Sequence, residues 1–222
     1  MKKILLLGIG LAFISCATHK KISDSEREKL ISELDYIRDI DQKYARIPPA
    51  EMISKYGTKV AWKIFETKRD SVGKDNQSKI KKMFSQYGYL GINQVGKENT
   101  SKFWIPIQHA DNDVEFQKKI LRVLKKESEK NNAPKNEYAM LEDRVAINTN
   151  QKQRFGSQVI YNEEGQAIPK NGLTDSANVD KLRKEYGLPA FKEYYNHMTT
   201  MHFEMNKNNF LEKGITGPKL YK

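Results

Sequence analysis

The stretch 103–116, FWIPIQHADNDVEF, joins two apolar segments through a short polar turn. Its first half is dense in large apolar side chains, which indicates a central, mostly buried helix over residues 98–109 with a kink or late start at Pro106. The turn offers three good N-cap residues, and Asn112 with Glu115 has the spacing of a capping box. A second helix is therefore predicted to begin at this turn. A buried helix followed directly by another helix favours a mainly α fold.

Apolar residues at three- and four-residue spacing predict further helices on both sides of this stretch. The first helix follows a capping box formed by Ser23 and Glu26, runs to about residue 46, and is stopped by Pro48 and Pro49. The remaining predicted segments are helices over 50–65, 77–87, 134–148, 178–186 and 190–205, and an ordered loop over 89–95.

One part of the chain has the pattern of β-structure. Residues 157–161 and 166–168 flank the short loop NEEG (162–165), which is typical of a β-hairpin. There is no internal repeat and no low-complexity linker, so the sequence predicts a single multi-helical domain over 24–205 with one small β-hairpin. The Lys-, Asn- and Gly-rich residues 206–222 are predicted to form a basic, flexible tail.

The N-terminus has the features of a lipoprotein signal. Two lysines and an apolar run over residues 4–13 precede Ile-Ser-Cys, the pattern of a lipobox that ends at Cys16. The run is shorter than the roughly 20 residues that a spanning helix needs. We therefore predict a signal peptide over 1–15, a lipidated Cys16 and a tether over 16–23. The alternatives are an ordinary signal peptide with an incidental cysteine, or a short N-terminal anchor.

Cys16 is the single cysteine of the chain, so the exported domain has no disulfide available and depends on packing. Resemblance to a lipobox implies acylation of Cys16, for instance with palmitate, and contact with the membrane through that lipid. Ala17 follows the cysteine, and the first acidic residue is Asp24. By resemblance to lipoprotein sorting rules, this implies an outer-membrane lipoprotein of the cell envelope that faces the periplasm; the inner membrane is the alternative.

The chain is strongly basic, with a formal net charge of +11 and a pI near 9.5. In a cytoplasmic protein this charge would suggest a nucleic-acid partner, but export removes most of that expectation. The lysines are spread along the sequence. We therefore predict no nucleic-acid partner and a solvated surface with some attraction to anionic lipid headgroups.

The densest polar cluster is 108–113, QHADND, which lies between two predicted helices. Helix N-termini hold anions, and an imidazole beside one can act as an acid, a base or a ligand near neutral pH. Alternatively, the aspartates only cap the helix and His109 donates a hydrogen bond in a packed corner. The spacing of His109, Asp111 and Asp113 is neither that of an EF-hand loop nor His-x-x-x-His, so no metal site and no cofactor is predicted.

Asp143 and Arg144 stand between apolar residues of a predicted helix, so at least one of them should be partly buried and paired. A structural ion pair is the first interpretation, and an anion-binding Arg144 is the second. Gln153 and Gln158 follow as candidate ligand-binding residues. The sequence contains no Gly-x-Ser-x-Gly, no Ser-x-x-Lys, no phosphate-binding glycine loop and no further cysteine, which excludes the familiar hydrolase templates.

Several multi-residue motifs occur in a characteristic order across residues 30–195. They are Asp41-Gln42 with Arg46, Tyr87-Gly88, Trp104, Gln108-His109-Ala110-Asp111, Phe116-Gln117, Asp143-Arg144-Val145, Phe155-Gly156-Ser157-Gln158 and Gly187-Leu188-Pro189. In these motifs the chain is similar to an uncharacterised bacterial family catalogued as domain of unknown function 6624. It departs from the family pattern at Phe155, where tyrosine is common, and at Ser157, where threonine is common. The resemblance supports the choice of clusters and implies no reaction.

Two functional hypotheses follow, beside a purely structural envelope protein. The first is a lipid-anchored domain that binds an unknown small molecule or protein at a polar site around His109. The second is a periplasmic enzyme with His109 as general acid/base, Asp111 or Asp113 orienting it, and Arg144 binding an anionic group. The candidate catalytic residues are His109, Asp111 and Asp143, and the candidate ligand-binding residues are Gln108, Arg144, Gln153 and Gln158. Both hypotheses predict that His109, Asp143 and Arg144 lie together at one cleft.

Overall fold

The computed structural model of the protein describes residues 20–222. The predicted signal peptide, the predicted lipidation site Cys16 and the first part of the predicted tether lie outside these residues. The prediction of a mainly α fold with one small hairpin is confirmed. The helices of the described residues are α1 Asp24–Ala45, α2 Ala50–Tyr56, α3 Thr58–Tyr87, α4 Ile92–Val95, α5 Thr100–Gln108, α6 Val114–Glu129, α7 Lys135–Asn148, α8 Val179–Glu185, α9 Phe191–Met205 and α10 Lys207–Glu212.

The first helix begins at the predicted capping box. The Ser23 hydroxyl accepts a hydrogen bond from the backbone N–H of Glu26, and the Glu26 carboxylate accepts one from the backbone N–H of Ser23 at 3.2 Å. This pair satisfies two of the backbone donors that a helix start leaves without partners. The helix ends at Ala45, ahead of the proline pair that was predicted to stop it.

The second and third predicted helices are divided differently in the structure. The helix predicted over 50–65 is broken at Gly57, whose φ of +74° favours glycine. The helix predicted over 77–87 is the end of the 30-residue helix α3. Gly73 lowers helix propensity in the middle of α3 without breaking it, because the buried residues on either side keep both halves packed. The loop predicted over 89–95 contains the one-turn helix α4.

The central helix α5 contains Pro106, as predicted, and begins at Thr100. The next helix is capped by Asp113, whose carboxylate accepts a hydrogen bond from the backbone N–H of Phe116 at 3.0 Å. The predicted capping box of Asn112 and Glu115 is therefore wrong. Asn112 instead accepts a hydrogen bond from Gln77 of α3, at 3.2 Å.

The hydrophobic core lies where α1, α3, α6 and α7 surround α5. Burial of each large apolar side chain contributes about 1.5–3 kcal/mol, so this cluster holds the five helices in fixed relative positions. Among its fully buried members are Leu34, Ile37, Ile80, Phe103, Ile107, Ile120, Leu124 and Leu141.

The C-terminal part consists of the antiparallel hairpin β1 (Val159–Tyr161) and β2 (Ala167–Pro169), followed by α8 to α10. The residues predicted as a flexible tail are packed against this part, because they contain apolar side chains. Phe210 of α10 is buried, and the Tyr221 hydroxyl donates to the carbonyl of Ala167 at 2.7 Å. No helix of the described residues is long and apolar enough to cross a bilayer.

Candidate functional site

An open cavity of about 630 Å³ lies between the C-terminal half of α1, the middle of α3, the turn after α5, and α7. Polar and charged side chains dominate its wall, in contrast to the core below it. The lining residues include Asp41, Tyr44, Arg69, Asp70, Lys74, His109, Asp111, Asn112 and Arg144. Four elements that are distant in sequence therefore contribute ionisable side chains to one space.

Asp41 and His109 form a hydrogen-bonded pair in this cavity. Nδ1 of His109 lies 2.9 Å from Oδ2 of Asp41, whose side chain is only 7% exposed. Because a carboxylate oxygen accepts hydrogen bonds, this contact places a proton on Nδ1 and leaves Nε2 of the neutral imidazole with its lone pair. The His109 side chain is 41% exposed, so the imidazole is both oriented from behind and accessible from the cavity.

Asp111 and Arg144 form the second pair. The two carboxylate oxygens of Asp111 accept hydrogen bonds from Nε and Nη2 of Arg144, and the Nε–Oδ1 distance is 2.7 Å. Asn148 donates a further bond to Oδ1 of Asp111, also at 2.7 Å. Burial alone would raise the pKa of Asp111, but the hydrogen bonds from Arg144 and Asn148 outweigh it and hold that pKa below its usual value.

A hydrogen-bond network extends from this second pair into the core. Arg144 donates through Nη1 to Gln158 at 2.9 Å, and Asn148 donates to Gln117 at 3.0 Å. Gln117 is fully buried and donates in turn to the carbonyl of Ile107 at 3.0 Å. The side chains of Asp111 and Gln158 thus hold the guanidinium of Arg144 in one plane, which suits it to present a fixed positive charge.

Two further cations face the cavity from α3. Arg69 donates to the carbonyls of Tyr44 at 2.6 Å and Arg46 at 3.0 Å. Among the described residues, neither Arg69 nor the exposed Lys74 forms an ion pair with a carboxylate. Asp70, also exposed on this wall, has no ion pair within the same part of the chain. The cavity therefore contains charges of both signs that are not compensated by a salt bridge.

Asp143 does not lie with His109 and Arg144, contrary to the predicted cluster. Its side chain is fully buried and accepts hydrogen bonds from the backbone N–H groups of Arg154, Phe155 and Ser157 at 2.8–3.1 Å. Burial raises the pKa of Asp143, and these bonds offset part of the rise. Adjacent residues of an α-helix point about 100° apart, so Asp143 faces the interior while Arg144 faces the cavity.

The candidate glutamines also differ in whether they lie in the interior or contact the site. Gln153 is fully buried and donates to the carbonyls of Gln158 and Lys170, so it supports the hairpin rather than the cavity. Gln108 is buried and donates weakly to the carbonyl of Met140, and its Oε1 atom has no partner among the described residues. Gln158 contacts the site through Arg144.

The sequence reasoning missed several residues of the cavity. Arg69 and Lys74 belong to a helix whose charged residues all have the appearance of a solvated face, so no local pattern distinguishes them. Asp41 was not among the candidate residues either. Its signal was available, since it belongs to one of the family motifs. Within residues 20–222, no group of three or more His, Cys, Asp or Glu side chains is arranged to hold a metal ion.

The profile of the family of unknown function DUF6624 matches residues 38–202. The chain belongs to this family. The matched region contains all the residues of the cavity named above, and it ends within α9. A comparison with curated proteins finds no significant match, and neither does a comparison with solved structures.

Proposed function

We propose that this member of DUF6624 is a ligand-binding protein whose cavity takes a small polar molecule with an anionic group. The observation that carries the proposal is that the pairs Asp41–His109 and Asp111–Arg144 meet at the wall of one open cavity. The fixed guanidinium of Arg144 and the two α3 cations would attract the anionic group. The accessible Nε2 of His109 would bind a hydroxyl or a second oxygen of the ligand.

Stability alone is a poor explanation for this arrangement. Half-exposed ion pairs contribute about 0–1 kcal/mol, since solvent screens them and the side chains lose entropy. The side chains of His109 and Asp111 are both more than a third exposed. A network that positions Arg144 and His109 accurately, at little gain in stability, is typical of a binding site.

A second candidate function is an enzyme in which His109 acts as general acid/base. The observation that favours it is the buried carboxylate of Asp41 behind Nδ1, which is the arrangement that fixes a histidine tautomer for proton transfer through Nε2. In that case Arg144 would hold an anionic group of the substrate while His109 exchanges a proton with it.

Ligand binding is tested by thermal shift with inorganic phosphate and a panel of small organic phosphates and carboxylates. We expect at least one compound to raise the melting temperature of the wild type and to have no effect on His109→Ala or Arg144→Gln. His197→Ala is the matched control, since His197 is an exposed histidine of α9 outside the cavity. If no compound stabilises the wild type, or if His109→Ala responds as the wild type does, the cavity is not the proposed site.

The enzyme is distinguished from the binding protein by following a stabilising compound with NMR during prolonged incubation. An enzyme converts the compound, and Asp41→Asn slows the conversion more than it weakens binding, because it disturbs the tautomer of His109. A binding protein leaves the compound unchanged.

We also propose that the domain is attached to the cell envelope through acylated Cys16, at the outer membrane with the domain in the periplasm. The support is the apolar run followed by Ile-Ser-Cys at the start of the chain. In a Gram-negative host, labelled palmitate should enter the wild type and be absent from Cys16→Ser. An intact leader on the purified wild type would contradict the proposal.

A further inference from the structure

The chain enters the folded domain at the end of α3. The backbone N–H of Lys20 donates to the carbonyl of Gln86 at 3.0 Å, and Ile22 packs against the core. The described end of the predicted tether is therefore held against the domain. Four residue steps separate Lys20 from Cys16, and a chain of that length spans at most about 14 Å.

The surface at this point is rich in cations. Two adjoining grooves share Tyr87 and are lined by residues at the start of α1, the end of α3 and the middle of α6. We call this surface the basic end. Its cations are Lys20, Lys21, Arg27, Lys29, Lys79 and Lys82, and its carboxylates are Glu26, Glu33 and Glu127.

Only part of this positive charge is compensated. Lys20 pairs with Glu26, and Lys79 pairs with Asp75 at 2.9 Å. The remaining four cations are exposed and form no ion pair within residues 20–222; they are Lys21, Arg27, Lys29 and Lys82. Lys119 of α6 extends the charge, with its ammonium 5.2 Å from the centre of the Phe84 ring.

We infer that the basic end is a docking surface for anionic lipid headgroups, and that it orients the domain on the membrane. The attraction of a basic residue to an anionic leaflet falls off within a Debye length, about 8–10 Å. A tether of at most about 14 Å lets the cations at its base approach the leaflet to within that distance if Cys16 is acylated, so the orientation rests on the proposed lipidation. The attraction of the surface to anionic lipid does not depend on lipidation.

This orientation leaves the cavity accessible. Along α1, Asp41 lies fourteen residues beyond Arg27, or about 21 Å at 1.5 Å per residue. Along α3, Arg69 lies thirteen residues before Lys82, or about 20 Å. Both helices thus run from the basic end to the cavity, so a domain that stands on the basic end presents the cavity to the aqueous side.

The inference is tested by sedimentation of the full chain carrying Cys16→Ser with phosphatidylcholine vesicles, with and without about 30% phosphatidylglycerol. The test variant adds Lys21→Gln, Arg27→Gln, Lys29→Gln and Lys82→Gln. The matched control adds Lys152→Gln, Lys170→Gln, Lys181→Gln and Lys192→Gln, four exposed lysines away from the basic end. Pure phosphatidylcholine measures the apolar binding of the leader. The attraction of Lys2 and Lys3 to anionic lipid is common to all variants and cancels when the variants are compared.

We expect the Cys16→Ser chain to prefer the anionic vesicles. At about fivefold per charge, the four substitutions lower the preference by about 600-fold if all four residues lie near the leaflet, and by at least about tenfold if only two do. The control should keep most of the preference. The preference should also decline with salt. If the test variant and the control lose this preference equally, the binding responds to net charge alone and the inference is overturned. It is also overturned if the Cys16→Ser chain shows no preference for anionic vesicles. Because the cysteine is absent, a failure of lipidation leaves this measurement unaffected.

Discussion

The buried carboxylate of Asp143 accepts a hydrogen bond of 2.8 Å from the backbone N–H of Ser157. Two further N–H groups of the same loop point at this carboxylate, so Asp143 fixes the path of the chain from α7 to the hairpin. The same loop carries Gln158, which contacts Arg144 in the cavity. Asp143 therefore supports the site from the interior, through the backbone, while its neighbour Arg144 takes part in it directly.

Asp143→Asn should destabilise the protein by about 3 kcal/mol, because an amide cannot accept all three N–H groups and turns its own donors toward some of them. The measurement is urea unfolding. Asp175→Asn is the control, since Asp175 accepts similar backbone bonds from Ala177 and Asn178 in an exposed loop. The control should cost about 1 kcal/mol or less. Equal costs would mean that the buried loop does not depend on the charge of Asp143.

The fold was predictable where a local signal coincides with burial. The capping box of α1, Pro106 in a buried helix and the NEEG hairpin are all local patterns, and each was confirmed. The continuity of α3 was not predictable in this way, because glycine has the same low helix propensity at position 57, where a helix ends, and at position 73, where the helix continues. The break at Gly57 depends on how α2 and α3 pack, which is a tertiary effect.

The candidate site was also predictable only where its residues have a local signal. His109, Asp111 and Arg144 stood out because charged residues interrupt apolar segments, and the structure brings these three to one cavity. Burial of either Asp143 or Arg144 was expected from the same pattern, but which of the two is buried depends on the rotation of α7 about its axis. Arg69 reaches the cavity only through the packing of α3 against α1, which leaves no local signal.

Glu137 provides a test of stability against pH. Burial raises the pKa of its carboxyl to about 7, despite long hydrogen bonds of 3.4 Å from Tyr89 and Thr100 that act in the opposite direction. Between pH 4.5 and 7 the folded state therefore binds this proton more tightly than the unfolded state does. Stability contributed by the neutral carboxyl is complete below pH 4.5 and is lost as the pH rises through 7, by about 3 kcal/mol.

Glu137→Gln should remove this dependence, because the amide is neutral at every pH. His202 acts oppositely in the same range, since burial lowers its pKa and stability is lost as the pH falls below 6.5. We therefore compare the unfolding free energy of Glu137→Gln with that of the wild type at each pH. The contribution of His202 is the same in both proteins and cancels in the difference. This difference should shift in favour of the variant by about 3 kcal/mol between pH 4.5 and 8. A constant difference would contradict a buried, proton-binding Glu137.

The packing of α10 on the hairpin can be tested at Gly165. A Cβ atom there would lie 2.5 Å from Cζ of the buried Phe210, and its φ of +74° is unfavourable for other residues. Gly172 has a similar φ of +78°, and no atom of residues 20–222 lies within 4 Å of an added Cβ, so Gly172→Ala measures the backbone cost alone, about 1 kcal/mol. Gly165→Ala should cost about 1–2 kcal/mol more, measured by urea unfolding. Equal costs would mean that Phe210 does not pack there in solution.

The continuity of α3 can be tested with two glycines that have opposite roles. Gly73 lies inside α3, and no atom of the described part of the chain lies within 4 Å of an added Cβ, so Gly73→Ala should stabilise the protein by about 0.5–1 kcal/mol through helix propensity. Gly57 separates α2 from α3 at φ +74° and ψ 155°, a backbone region that only glycine adopts readily, so Gly57→Ala should destabilise the protein by about 1–3 kcal/mol. No atom of residues 20–222 lies within 4 Å of an added Cβ there, so this cost comes from the backbone alone. Thermal unfolding measures both changes: the melting temperature should rise for Gly73→Ala and fall for Gly57→Ala. A destabilising Gly73→Ala would place a second break in α3, and the cations that face the cavity from either side of it would then lose their common support.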